Sequence, residues 1–195
     1  MTNPGRLKVV SFDLEGTLIK PDFSSAVWGE AIPERYAQLK GIDIARAKGI
    51  VFAAYDEVGD QRREWYDIKY WFCRFGLGDY REALESCKHL IGSYPEVPQV
   101  LGSLARHFLL IVASGSSRDF LDYLLPPLPP AFARVFSSIS DFGQLKTPLF
   151  YRQISKALGV RAEEMVHIGD SRQFDFAAPP GGGHPGLSPE SGGER

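Results

Sequence analysis

The chain has 195 residues, enough for one domain carrying a sizeable insertion and for a core that needs no covalent staples. Hydrophobic residues make up 44% and charged residues 24%, a globular balance that excludes disordered, collagen-like and disulfide-scaffold classes. The net charge of −2 comes from 22 basic and 24 acidic residues with no run of Lys and Arg, so no nucleic-acid-binding footprint is present.

In chain order, residues 7–13 are apolar and β-branched and run into Gly16, the pattern of a strand buried on both faces and ended by a turn. The stretch is too short for a signal peptide, and Asp13 and Glu15 make it too charged. From about residue 24 to 93 the periodicity is helical throughout. It predicts helices over 25–40, 43–58, 62–75 and 80–91, punctuated by Gly41, Gly59, Gly76 and Gly78, as a four-helix insertion. On the third helix Trp65, Ile68, Phe72 and Phe75 form a stripe expected to be bundle core; Tyr66, Tyr70 and Cys73 form a second, with Trp71 between them.

Residues 97–107 predict a helix, 108–114 a second buried strand and 117–125 another helix. A weaker strand follows over 135–139, then a helix over 148–158 ended by Gly159 and a strand over 166–170. The apolar run 108–113 is far below the length of a membrane span. Strands alternating with helices predict a mostly parallel sheet, so the fold class is α/β: a three-layer Rossmann-like core with an inserted helical unit. The expected boundaries are 1–22 and 94–178 for the core, 23–93 for the insertion and 179–195 for a tail. Cys73 and Cys87 lack metal-ligand spacing and read as buried thiols of a cytoplasmic protein.

The last 19 residues hold six Gly and four Pro and no apolar run, and are expected to be irregular.

Three strands end on polar residues, Asp13, Ser114 and Asp170, and the C-terminal ends of parallel strands lie along one edge, where open α/β sheets bind ligands. Asp13 and Glu15, two apart in extended chain, point the same way and need a cation or a shifted pKa. Gly115 and Ser116 open a helix whose free N–H groups can hold an anion. Lys146 stands just before a helix, and Asp170 and Asp175 add two more carboxylates.

In this order, Asp13-Leu14-Glu15-Gly16-Thr17, the strand-ending Ser114, Lys146 ahead of a helix, and Gly169-Asp170 followed by Asp175 resemble the four motifs of the haloacid dehalogenase superfamily of phosphohydrolases. The resemblance covers residues 7–178, and the insertion resembles the superfamily's C1-type helical cap. Members of the superfamily continue from the Gly-Asp motif into a helix and one more apolar strand at the sheet edge, so the resemblance implies that this final edge strand is missing here, through truncation or an altered reading frame. The strand over 166–170 would then have an unpaired edge inclined to self-association. It implies Mg²⁺-dependent hydrolysis of a small phosphorylated metabolite, a phosphomonoester, through a phosphoaspartate. Asp13 would be the nucleophile. Glu15 would protonate the leaving oxygen and then deprotonate water. Ser114 and the N–H of Gly115 or Ser116 would hold phosphoryl oxygens, and Lys146 would neutralise charge between Asp13 and the phosphate. Mg²⁺ would be ligated by Asp13, Asp170 and the Glu15 carbonyl, with Thr17 in a supporting place and Asp175 supporting the metal or orienting Lys146. The second aromatic stripe, Tyr66 and Tyr70, with Arg62, Arg63 or Lys69, is expected to contact the rest of the substrate.

Glu15 departs from the usual Asp, moving the carboxyl by roughly 1.5 Å. Dehalogenating members lack an acid there, so the retained acid favours a phosphatase over a metal-independent dehalogenase-type hydrolase; a catalytically weak phospho-ligand-binding or regulatory protein is the other alternative. The first motif is similar to that of the enolase-phosphatases, whereas the rest is more similar to phosphoglycolate phosphatase relatives. His167, inside a strand, is expected to pack between sheet and helix, and His89, His107 and His184 have no partner at metal-ligand spacing.

Overall fold

A computed structural model describes residues 7–177. Four parallel strands, β1 (Val9–Phe12), β2 (Leu109–Ser114), β3 (Phe132–Ser137) and β4 (Met165–Ile168), form one sheet in the order β3-β2-β1-β4. The alternation of side chains along each strand sorts them between two layers. Val10, Phe12, Leu110 and Val112 face the cluster that holds Val97 and Leu101 of α6 (Val97–Leu104) and Phe120, Leu121 and Leu124 of α7 (Arg118–Leu124). Val9, Ile111 and Ala113 face Phe150, Tyr151 and Ile154 of α9 (Pro148–Leu158). The sheet is thus the middle of three layers, as expected for a Rossmann-like α/β core.

Between β1 and α6 lie only helices: α1 (Asp22–Ala26), α2 (Ile32–Lys40), α3 (Ile44–Val58), α4 (Ile68–Phe75) and α5 (Arg81–Cys87). Phe23, Val27, Ile32, Val51, Ile68, Phe72 and Leu84 are buried in the same cluster as β1, α6 and α7, so the insertion packs on the core rather than standing apart from it. The chain crosses into it through a tight turn, where Leu18 and Ile19 N–H groups bond back to Leu14 O and Lys20 N–H reaches Gly92 O at 2.8 Å.

Several expected elements are corrected. The helix over 62–75 is two pieces, a 3-10 turn over Arg63–Tyr66 and then α4, because Asp67 turns extended (φ −102°, ψ 104°) and caps the Lys69 N–H at 2.9 Å. The helix over 25–40 begins at Asp22 and carries a π turn over Val27–Ala31. The strand over 135–139 starts earlier, at Phe132, and Ile139 belongs to α8 (Ser138–Phe142). Cys73 is exposed and only Cys87 is buried. Among the described residues no helix is long and apolar enough to cross a membrane, and β4 is an edge strand. The expected irregular tail and missing final strand fall on 178–195, outside the described residues.

Glu164 ties the starts of β1 and β4 together. Its carbonyl accepts the Lys8 N–H at 2.9 Å, and its carboxylate accepts the Arg161 N–H at 3.0 Å and pairs with Lys8 Nζ at 2.9 Å. The Arg161 N–H and the Lys8 ammonium hold its pKa down at about 2, against an ordinary 4.5. A depressed carboxylate stabilises the fold fully above its unfolded pKa and loses that contribution as pH falls through the folded one. Glu164→Gln is therefore expected to lower Tm at neutral pH, with the difference from the parent closing between pH 4.5 and about 2. A difference that stays constant across that window would contradict the assignment.

Candidate active site

Asp13 directly follows β1, and its N–H donates to Ile168 O at 2.8 Å, which registers it against the end of β4. Lys146 precedes the cap of α9: the Thr147 hydroxyl accepts the Phe150 N–H at 3.4 Å and Pro148 opens the helix, so the lysine is delivered from a fixed backbone. Lys146 Nζ donates to Asp13 Oδ1 at 2.8 Å and also pairs with Asp175. Only 5% of its side chain is exposed, so the ammonium has replaced water by two carboxylates.

Burial alone would pull the Lys146 pKa down, but the charges of Asp13 and Asp175 reverse this and hold it above its ordinary value. Burial pushes Asp13 up, with Lys146 opposing. Asp175 goes the other way: a hydrogen bond from His167 and the charge of Lys146 outweigh its burial and hold it well below the usual carboxylate range.

Asp175 is held on all sides. Its Oδ1 meets Lys146 and, at 3.0 Å, His167 Nε2, and its Oδ2 accepts the Ser171 N–H at 2.9 Å. A carboxylate can only accept, so His167 Nε2 carries the proton, leaving Nδ1 to accept from the Ser11 hydroxyl at 2.9 Å. Burial lowers the His167 pKa, consistent with this neutral ring. Ser11 and His167 are register partners across β1 and β4, so pairing of the strands itself builds the chain Ser11–His167–Asp175–Lys146–Asp13. Tyr151 closes it from α9, its ring 5.0 Å from His167 and its hydroxyl donating to Phe174 O at 2.8 Å.

Two glycines permit this crowding. A Cβ on Gly16, which sits at φ 79°, would overlap the Asp170 carboxyl, and a Cβ on Gly169 would overlap that of Asp175. Gly169→Ala must displace Asp175 and with it Lys146. It is expected to cost about 1–3 kcal/mol in chemical denaturation and to depress activity further than that loss explains; wild-type stability and turnover would refute the close approach.

Asp13, Asp170 and Asp175 each place a carboxylate oxygen within 4.8 Å of the others. Burial and the Asp175 charge raise the Asp170 pKa. Three hard oxygen donors with mutual repulsion fit a divalent cation of the Mg²⁺ type. Since the oxygens of Asp175 are already occupied, Asp13 and Asp170 have the freer carboxylates.

Glu15 Oε2 accepts the Ser116 hydroxyl at 3.0 Å, while Glu15 Oε1 is buried with no hydrogen-bond partner. Burial raises its pKa to about 7; the nearby Ser24 and Ser116 hydroxyls moderate the rise, although Ser24 Oγ closes no well-formed hydrogen bond. Ser114 Oγ accepts the Ser116 N–H at 3.1 Å, and Ser137 Oγ donates to Ser116 O at 2.7 Å, which pins the turn between β2 and α7. Gly115 leaves room beside the Lys146 stem, and Thr17 Oγ1 is buried without a partner.

The remaining expected substrate contacts separate. Tyr66 lines a cavity of about 570 Å³ together with Glu15, Gly16, Ser116 and Asp170. Lys69 instead pairs with Asp119 at 2.9 Å, Arg62 with Glu64 at 3.4 Å, and Arg63 lies against Gly143. Tyr70 accepts a hydrogen bond from Arg74 on the outside of α4. The break at Asp67 separates Tyr66 from Tyr70, so the expected second stripe does not form one face. Sequence reasoning did not assign His167, Ser11 or Tyr151 to the site, nor Trp28, Tyr55 and Phe120 to the cavity.

The sequence over residues 7–179 matches the haloacid dehalogenase-like hydrolase family, and the chain belongs to that family. No curated protein matches the chain. Among solved structures, a HAD phosphatase from Thermococcus onnurineus is similar with a TM-score of 0.82 at 22% identity, over 97% of this chain and 89% of the other. A 2-haloacid dehalogenase from Pseudomonas syringae pv. Tomato DC3000 gives 0.61 at 24% identity, over 88% and 81%. A predicted phosphoglycolate phosphatase from Haemophilus somnus 129pt gives 0.57 at 19%, over 89% and 80%. At these identities the likeness is one of fold.

Proposed function

We propose that the protein hydrolyses a phosphomonoester through a phosphoaspartate on Asp13, with Mg²⁺ as cofactor. The observation that carries this reading is the acid Glu15 beside the nucleophile, buried and raised to about 7. A carbon–halogen bond breaks to release a halide that needs no proton, whereas a phosphate ester releases an alkoxide that does. A phosphatase therefore has work for this carboxyl.

In the proposed sequence Asp13 attacks phosphorus and the ester P–O bond breaks. Glu15, whose protonated form is favoured by burial, gives its proton to the departing oxygen. The resulting Glu15 carboxylate then takes a proton from water as the water attacks the phosphoaspartate, releasing phosphate and regenerating Asp13. Lys146 offsets the charge shared by Asp13 and the phosphoryl group, and Asp175, fixed by His167 and Ser171, positions Lys146. Ser114 and the Gly115–Ser116 turn would orient phosphoryl oxygens, the Ser116 N–H exchanging its bond to Ser114 Oγ for one to the substrate. Mg²⁺, held by Asp13, Asp170 and the Glu15 carbonyl, would screen the repulsion between the nucleophile and the dianion. The helical insertion would act as a cap over the site, excluding water.

The test is phosphate release from a panel of phosphomonoesters with Mg²⁺, repeated with EDTA, beside halide release from chloroacetate. The expected result is EDTA-sensitive phosphate release without halide release. EDTA-insensitive halide release would overturn the reading in favour of a dehalogenase, and the fold of the Pseudomonas syringae enzyme makes that the informative comparison.

A further inference from the structure

The cavity that opens from the catalytic edge is walled by aromatic rings. Beyond Glu15, Gly16, Ser116 and Asp170, its lining includes Trp28, Tyr55, Trp65, Tyr66 and Phe120. These rings brace one another. Trp28 stacks on Phe120 with centroids 5.4 Å apart and planes 11° apart, Tyr55 meets the edge of Trp28 at 6.1 Å, and Trp65 meets Tyr66 at 4.9 Å. The Tyr55 hydroxyl donates to Trp28 O at 3.2 Å, which leaves its ring, not its polar end, for a ligand.

Charge is missing from the same wall. Among the described residues no Lys, Arg or His side chain lines the cavity, and Lys69 and Arg62 are paired with Asp119 and Glu64 away from it. A second anionic group on the substrate would face Glu15 and Asp170 with no cation. A sugar would bring hydrogen-bonding groups on every side to a wall made chiefly of ring faces, whose hydroxyls, on Ser24, Ser25, Ser116, Tyr55 and Tyr66, are few beside its apolar surface. Buried polar groups left unpaired are penalised severely, whereas apolar ones are not. The volume of about 570 Å³ suits a group of one or two rings.

We infer that the group esterified to the phosphate is uncharged and apolar, with an aromatic ring, and that Trp28, Tyr55, Trp65, Tyr66 and Phe120 select it. This rests on the phosphomonoester reading above and narrows it. It sets the enzyme apart from hydrolases of carboxylated esters such as phosphoglycolate.

The test compares kcat/KM with Mg²⁺ for phenethyl phosphate, phosphoglycolate, phosphoserine, an aldohexose 6-phosphate and a nucleoside 5′-monophosphate. All release a primary alkoxide, so differences report recognition more than leaving-group chemistry. Phenethyl phosphate is expected to lead by at least about tenfold, the worth of one buried ring. Trp65→Ala should narrow its lead over phosphoglycolate by about the same factor, through KM. Trp65 is only half-buried and its carbonyl, which accepts Trp71 Nε1, survives the change, so the variant should fold. A lead for any of the polar or anionic esters, or a lead that Trp65→Ala leaves intact, would overturn the inference while leaving the phosphatase reading standing.

Binding of phenethylphosphonate and phosphonoacetate, followed by calorimetry, separates the two claims. Tighter binding of phenethylphosphonate without turnover of any ester would uphold the apolar site and overturn the reaction. Equal or inverted binding would overturn the inference whatever the turnover.

Discussion

Asp13→Asn is expected to abolish phosphate release, by at least about 10⁴-fold in kcat, with the fold intact. The amide keeps the shape of the carboxylate and the backbone bond to Ile168, and it can still accept from Lys146. It is a much poorer nucleophile, so the chemical step fails even where binding survives. The structural half of the prediction is equally specific. Burial already penalises the Asp13 charge, so removing that charge should leave Tm within a few degrees of the parent. Substantial residual kcat in a metal-replete assay would remove Asp13 from its role.

Lys146→Met is expected to produce the largest loss of stability of any single change at the site. Lys146 is buried between Asp13 and Asp175, and its loss leaves two carboxylates in a dry environment without a counter-charge. Breaking a buried pair in this way costs about 3–5 kcal/mol, or roughly 10 °C in Tm for a chain of this size. The deficit has a direction with pH. With the ammonium gone, the carboxylate pKa values rise, so protonation relieves the repulsion and the gap to the parent should narrow as pH falls. Lys146→Arg should recover part of the stability but little activity, because the planar guanidinium cannot place a single donor where the ammonium sits. An Lys146→Met protein as stable as the parent across the pH range would show that the triad is not formed.

The catalytic edge is legible in the sequence because each of its members ends an apolar run or opens a helix. Asp13 and Asp170 follow strands, Ser114 ends one, Lys146 precedes the Thr147-Pro148 start of α9, and parallel strands bring such ends together without further information. His167 is harder to place, since its partners lie across the sheet and around a loop. Its signal is that Ser11 and His167 are polar residues at inward positions of two strands, which alternation makes neighbours once the register is known. Asp67 was hidden by periodicity: aromatic residues at helical spacing run straight through it, yet an Asp ahead of Ile68 is also a helix start. The cavity is the least legible feature. Trp28, Tyr55, Trp65 and Phe120 come from different elements, and a sequence shows which faces are apolar but not which of them meet.

The central claim, that Asp13 carries the phosphoryl group, is tested most directly by trapping it. The protein is mixed with para-nitrophenyl phosphate and Mg²⁺, quenched during turnover and reduced with borohydride, which converts an acyl phosphate of aspartate to homoserine. Peptide mass spectrometry is expected to find homoserine at Asp13 and at no other aspartate, and to find none when substrate is omitted. Phosphate release with Asp13 unmodified under trapping conditions, or homoserine at Asp170 or Asp175 instead, would contradict the account.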